Sequence, residues 1–187
     1  MSRQRRGLAA TGVAIALGIA LRIAAAYPTH AYAADADCLN CGIVALRIYN
    51  GHPAVWSVPP RAGALECYGH AVAFRLFGIS RESLAVAPIL SSSLAIVLFG
   101  ALCLAWFGPT AGPLATLLFA IPPPAYLFWT YMPNGYPETM LLCVAVLLAA
   151  ERVRKEPRDL GRLALLGFVP FSGSSEATSS GRPWATR

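Results

Sequence analysis

Charged side chains are scarce in this sequence. Only 13% of its 187 residues are Asp, Glu, Lys or Arg, against 56% that are hydrophobic. A soluble globular domain carries about twice that charged fraction, so an ordinary water-facing surface is excluded for most of the chain. Other features are absent. No exposed aromatics interleave with the basic residues along a groove, so the net charge of +6 does not describe a nucleic-acid partner. Cys38 and Cys41 form a CxxC, but no second CxxC completes a zinc site and no thioredoxin-like strand–helix context surrounds the pair. No charged residue falls in the middle of the second, third or fourth apolar run, which argues against an ion-coupled transport path.

What the chain does have is apolar runs. A spanning helix needs about 20 mostly apolar residues and satisfies its own backbone in lipid. The reading is an all-α, polytopic transmembrane protein with two interfacial amphipathic helices in its first outer loop. The spans fall at about 7–27, 83–107, 111–130 and 137–150, with an abortive fifth from 163. Arg3, Arg5 and Arg6 precede the first span, and Arg152, Arg154, Lys155, Arg158 and Arg162 follow the fourth. Basic clusters beside spans mark the cytoplasmic side. The chain is therefore expected in the cytoplasmic (inner) membrane, multi-pass, with its N-terminus inside and with anionic lipid head groups as secondary partners. Ala31-Tyr32-Ala33 resembles a signal-peptidase site; an uncleaved anchor is the favoured reading. Arg22 is expected to snorkel to the outer interface. Pro122, Pro123 and Pro124 forbid a regular helix through the third span. Alone, residues 111–121 would rise only about 16 Å.

The loop from 28 to 82 and the turn at 131–138 share the outer face. Asp37–Asn50 reads as one amphipathic helix, with Leu39, Ile43 and Leu46 on one side. Ala62–Phe77 reads as another, lined by Leu65, Val72 and Leu76. Such helices lie in the interface plane. Cys38, Cys41 and Cys67 are open to disulfide formation if the loop faces an oxidising space, while Cys103 and Cys143 read as buried packing residues. Domain 1–168 is followed by a Ser/Thr/Gly-rich stretch, 169–187, with too little apolar surface to fold; it reads as a disordered or aberrant tail, truncated or out of frame.

Three acidic residues gather on the outer face: Asp37, Glu66 and Glu138. Each has a plain structural role available. Asp37 can cap the helix that begins at Cys38. Glu66 can pair with His70, four residues on, on a solvated face. Glu138 suits a helix N-terminus. Arg47, Arg61, Arg75 and Arg81 sit on the same outer segment, against the usual inward bias of basic residues. Their planar forks suit phosphate, and lipid head groups would also satisfy them.

Two segments carry a family resemblance. His52-Pro53-Ala54-Val55-Trp56 through Leu65-Glu66-Cys67-Tyr68, and Pro123-Pro124-Ala125-Tyr126 through Gly135-Tyr136-Pro137-Glu138-Thr139, resemble segments of bacterial membrane glycosyltransferases of the GT-C class. Relatives of that type include protein mannosyltransferases, aminoarabinose transferases and Rgt-type lipopolysaccharide core transferases. The resemblance covers about residues 7–168 and corresponds to the N-terminal portion of such enzymes. It implies a transferase that passes a sugar from a polyprenyl-phosphate donor to an acceptor on the outer face. It implies Asp37 as general base, Glu66 and Glu138 as the acids of two further motifs, and an outer arginine such as Arg61 against the departing phosphate. With His70, these form the expected substrate-binding set. No cofactor is implied; a cation between Asp37, Glu66 and His70 is conceivable but has no spacing rule behind it. Cys38, Pro59 and Arg61 depart from the residues common in that class. The competing readings are a non-catalytic multi-span protein or remnant and, last, a transporter.

Overall fold

A computed structural model describes residues 2–26, 36–55 and 64–155, with the backbone alone at 36, 37 and 64. The described residues form helices and no strands: α1 (Arg3–Ala26), α2 (Ala36–Tyr49), α3 (Ala64–Phe77), α4 (Arg81–Ala120), α5 (Pro124–Trp129) and α6 (Tyr136–Lys155). Two of them, α1 and α4, are long and apolar enough to cross a membrane. A compact unit extends to Leu148 and a second begins at Ala149.

The first unit is organised by glycine. Helix α4 is interrupted at Gly108, which adopts φ 68° and ψ −174°, a backbone region essentially closed to side-chain-bearing residues. The helix turns back there into two antiparallel limbs, 81–107 and 109–120. Phe99 stacks on Phe119 with ring centroids 4.2 Å apart. Gly112 lies so close to the first limb that a Cβ would sit 3.0 Å from the Cys103 carbonyl oxygen. Ser80 starts the first limb by accepting the Ser83 amide at 3.2 Å, as an N-cap should.

Helix α1 lies in the groove of this hairpin. Its buried stripe is Gly7, Thr11, Ala14, Gly18 and Arg22, at the three-and-four spacing of one helix face. Small residues let backbones approach: a Cβ on Gly7 would collide with Pro109 O, and one on Gly18 would meet Ala120 Cβ at 2.7 Å. Thr11 and Ile15 reach Gly100. Helix α1 thus runs antiparallel to the first limb and parallel to the second. Small-residue packing of this kind is common between membrane helices. Meanwhile Val13, Leu17, Leu90, Leu94, Leu114 and Leu118 are left exposed on the outside.

The apolar run that begins at Ala111 is broken, as its three prolines require. Its helix ends at Ala120, passes through Ile121–Pro123 and resumes as the short α5, because Pro122, Pro123 and Pro124 supply no backbone N–H. One expectation for this region changes: Arg22 does not snorkel. It has no exposed surface, and its Nη1 donates to Gly18 O at 3.0 Å and to Ala120 O at 2.9 Å. In a continuous helix the Ala120 carbonyl would accept from residue 124. That residue is proline, so Arg22 donates in its place.

Helices α2 and α3 pack on each other through their small and thiol-bearing faces. Cys41, Val44 and Cys67 form a buried cluster with Ile48 and Ala54 against it. Leu39, Ile43, Leu65, Val72 and Leu76, predicted as the apolar faces, remain exposed. Close approach to α4 is made by Gly69, whose Cβ would lie 3.1 Å from that of Ala87. Cys143, predicted to be buried, is exposed, whereas Cys103 is buried. In the second unit, the Glu151 carboxylate receives Arg154 through two bonds of 2.9 Å and Lys155 at 3.2 Å. The fifth span, the 169–187 tail and Ala31–Ala33 lie outside the described residues.

Candidate functional site

Glu66 and His70 are one turn apart on α3. The sequence places them on a solvated face; the structure buries both, at 2% and 0% exposure. The reason is the packing of α3. Its Leu65, Val72 and Leu76 side stays exposed, so the opposite side, with Glu66, Cys67, His70, Ala71 and Phe74, faces inward. His70 Nε2 stands 3.4 Å from Glu66 Oε1.

A third group reaches the same place from far along the chain. Gly135, at φ 81°, turns the backbone into α6, where Asn134 Oδ1 accepts the Tyr136 amide at 3.1 Å. Pro137 sits in the first turn, where its missing N–H costs nothing. Glu138 follows, with Ser91 Oγ of α4 donating to its Oε1 at 3.4 Å. Its carboxyl group also lies within hydrogen-bonding contact of Glu66. Glu66, His70 and Glu138 thus come together from two segments more than sixty residues apart.

The cluster has unused hydrogen-bonding capacity. Both oxygens of Glu66, Oε2 of Glu138 and both ring nitrogens of His70 are buried without a well-formed hydrogen bond. Buried polar groups are normally satisfied, and each one left open costs about 1–3 kcal/mol. Donors from a hydroxyl-rich ligand would relieve that cost. Among the described residues no group of three or more His, Cys, Asp or Glu is placed to hold a metal ion.

Asp37 lies in the first turn of α2, with its backbone alone described, and Arg61 lies outside the described residues. Arg47 and Arg75 are exposed near the ends of α2 and α3. Sequence reasoning passed over Ser91. Its signal is the run Ser91-Ser92-Ser93 inside an otherwise apolar helix.

Beside the acids lie three buried thiols, Cys38, Cys41 and Cys67. The hydrogen bond with Cys67, together with burial, holds the Cys41 thiol well above the usual thiol range. Basic residues also gather at the opposite end of the bundle. An open cleft of about 450 Å³ at its far end is lined by Arg3, Arg6, Gly7, Pro109 and Pro113. Ser91 precedes the Gly108 turn by 17 residues, a rise of about 25 Å, so the acids and these arginines occupy opposite ends. The chain matches no protein-family model, no curated protein and no solved structure.

Proposed function

We propose that this chain is part of a GT-C-type glycosyltransferase of a bacterial cytoplasmic membrane, transferring a sugar from a polyprenyl-phosphate donor to an acceptor on the outer face. The supporting observation is the meeting of Glu66 and Glu138. Each comes from one of the two segments that resemble this enzyme class, and they converge as open, buried acceptors.

In this reading the bundle crosses the membrane more than once. The end with Arg3 and Arg6 lies in the cytoplasm against anionic lipid, and the acidic end lies outside. The α2–α3 pair rests on the outer surface with its leucines towards lipid. Glu66, Glu138 and His70 hold sugar hydroxyls, which donate to the carboxylates. The acceptor hydroxyl attacks the anomeric carbon, and Asp37 takes its proton as the new bond forms. The bond to the lipid phosphate breaks with both electrons on the phosphate oxygen. Arg61 stabilises that charge.

The test is transfer of a labelled sugar from a polyprenyl-phosphate donor in membranes carrying the protein. Asp37→Asn should lower transfer by about 10²–10⁴-fold, the usual worth of a positioned base, with membrane insertion intact. Transfer at the original rate would remove Asp37 from the mechanism. Purified chain that fails to retain a polyprenyl-phosphate sugar would favour a non-catalytic multi-span protein.

A further inference from the structure

Three of the five cysteines of this chain lie on the α2–α3 pair, all buried: Cys38 at 1%, Cys41 at 3% and Cys67 at 0% exposure. Cys38 and Cys41 share α2 one turn apart, so a bond between them would cross-link nothing. Cys41 and Cys67 differ in this respect. They come from different helices, belong to one packed cluster with Val44, and their side chains share a hydrogen bond. Ile48 and Ala54 close the cluster on its other sides.

We propose that Cys41 and Cys67 are a disulfide-forming pair that locks α3 onto α2. Packed in one cluster on facing helices, the two thiols are neighbours across the helix pair, and the bond between them would form at about 2.05 Å. The oxidant is a dithiol-type disulfide, whether a small molecule or a protein of an oxidising compartment. One thiol gives up its proton and attacks the external disulfide, expelling one thiol and forming a mixed disulfide. The second thiol, also losing its proton, attacks the protein sulfur of that intermediate and expels the other. Two protons and two electrons leave the pair, and the external disulfide is reduced to two thiols. The cross-link falls next to Glu66 and one turn from His70. It therefore fixes the helix that supplies two members of the acidic cluster, whatever ligand that cluster takes.

The test uses the full chain in lipid nanodiscs, treated with oxidised glutathione, then acid-quenched, unfolded, alkylated and read by peptide mass. Alkylated thiols should fall from five to three, with one linked peptide joining Cys41 to Cys67. Cys38→Ser should lose two in the same way. Cys41→Ser and Cys67→Ser should each keep all four. A chain unfolded in detergent before oxidation provides the comparison and should give scrambled pairings. Five alkylated thiols after oxidation of the folded chain would overturn the proposal. So would a link through Cys38, a stable glutathione adduct without the bond, or the same scrambled mixture from folded and unfolded chains.

Discussion

Arg22 shows how much one side chain carries here. A guanidinium without exposed surface needs acceptors, because desolvation is costly unless hydrogen bonds replace water. Two carbonyls supply them, and one, Ala120 O, lacks its own helical donor because residue 124 is proline. Arg22→Met removes both bonds and strands that carbonyl. Hydrogen bonds to charged groups contribute about 1.5–3 kcal/mol, so the variant should melt several degrees lower in nanodiscs, as followed by intrinsic fluorescence. An unchanged melting temperature would mean that water or lipid replaces the guanidinium. At the acidic cluster, Glu138→Gln keeps shape and replaces one carboxyl oxygen with an amide nitrogen. If the cluster holds a sugar, the variant should raise the donor concentration needed for half-maximal transfer by about tenfold, the loss of one hydrogen bond. Wild-type donor dependence would exclude Glu138 from the binding set.

The elements depend on close approach more than on side-chain bulk. Gly18 and Gly12 lie on the same helix, yet an added Cβ at Gly18 meets Ala120 at 2.7 Å while one at Gly12 meets nothing within 4 Å. Gly18→Leu should therefore force α1 away from the second limb of α4 and cost about 1–3 kcal/mol or more, as overpacking does. Gly12→Leu should be near neutral. Thermal denaturation of the two variants side by side separates packing from helix propensity, and equal melting temperatures would refute the contact. Gly108 isolates a different term. Nothing lies within 4 Å of its Cβ position, so Gly108→Ala adds no clash, only a backbone conformation that costs about 1–3 kcal/mol. A destabilisation in that range is expected from the same denaturation measurement, and none at all would show that the turn can relax.

At the scale of the molecule, the question is which solvent the outer apolar surface meets. Leu94 and Leu118 are 48% and 70% exposed on the two limbs of α4. In water such residues are dispensable, and a charge in their place aids solubility. In lipid, an arginine at mid-span costs about 2.5–3.5 kcal/mol on insertion scales. Leu94→Arg should accordingly lower the fraction of protein that resists carbonate extraction from membranes. A variant that becomes more soluble while remaining folded would remove the membrane reading.

The helical character, the interruption between residues 107 and 111, the break at Pro122–Pro124 and the start of α6 at Tyr136–Pro137 were legible in the sequence. They follow from local causes: length of apolar run, a glycine's backbone freedom, a missing N–H. The helix ranges of α2 and α3 were legible to within two residues for the same reason. Which face of each helix turns inward was not. The leucines of α3 define an apolar side, but in a chain short of water-facing surface the apolar side need not be the buried one. The tertiary packing instead buried the small, thiol and carboxylate side. It carried Glu66 and His70 from an expected solvated surface into the interior, brought Glu138 and Ser91 to meet them, and aimed Arg22 at a carbonyl 98 residues away. Those pairings rest on close contact between helices distant in sequence, set by glycines whose partners no local pattern names.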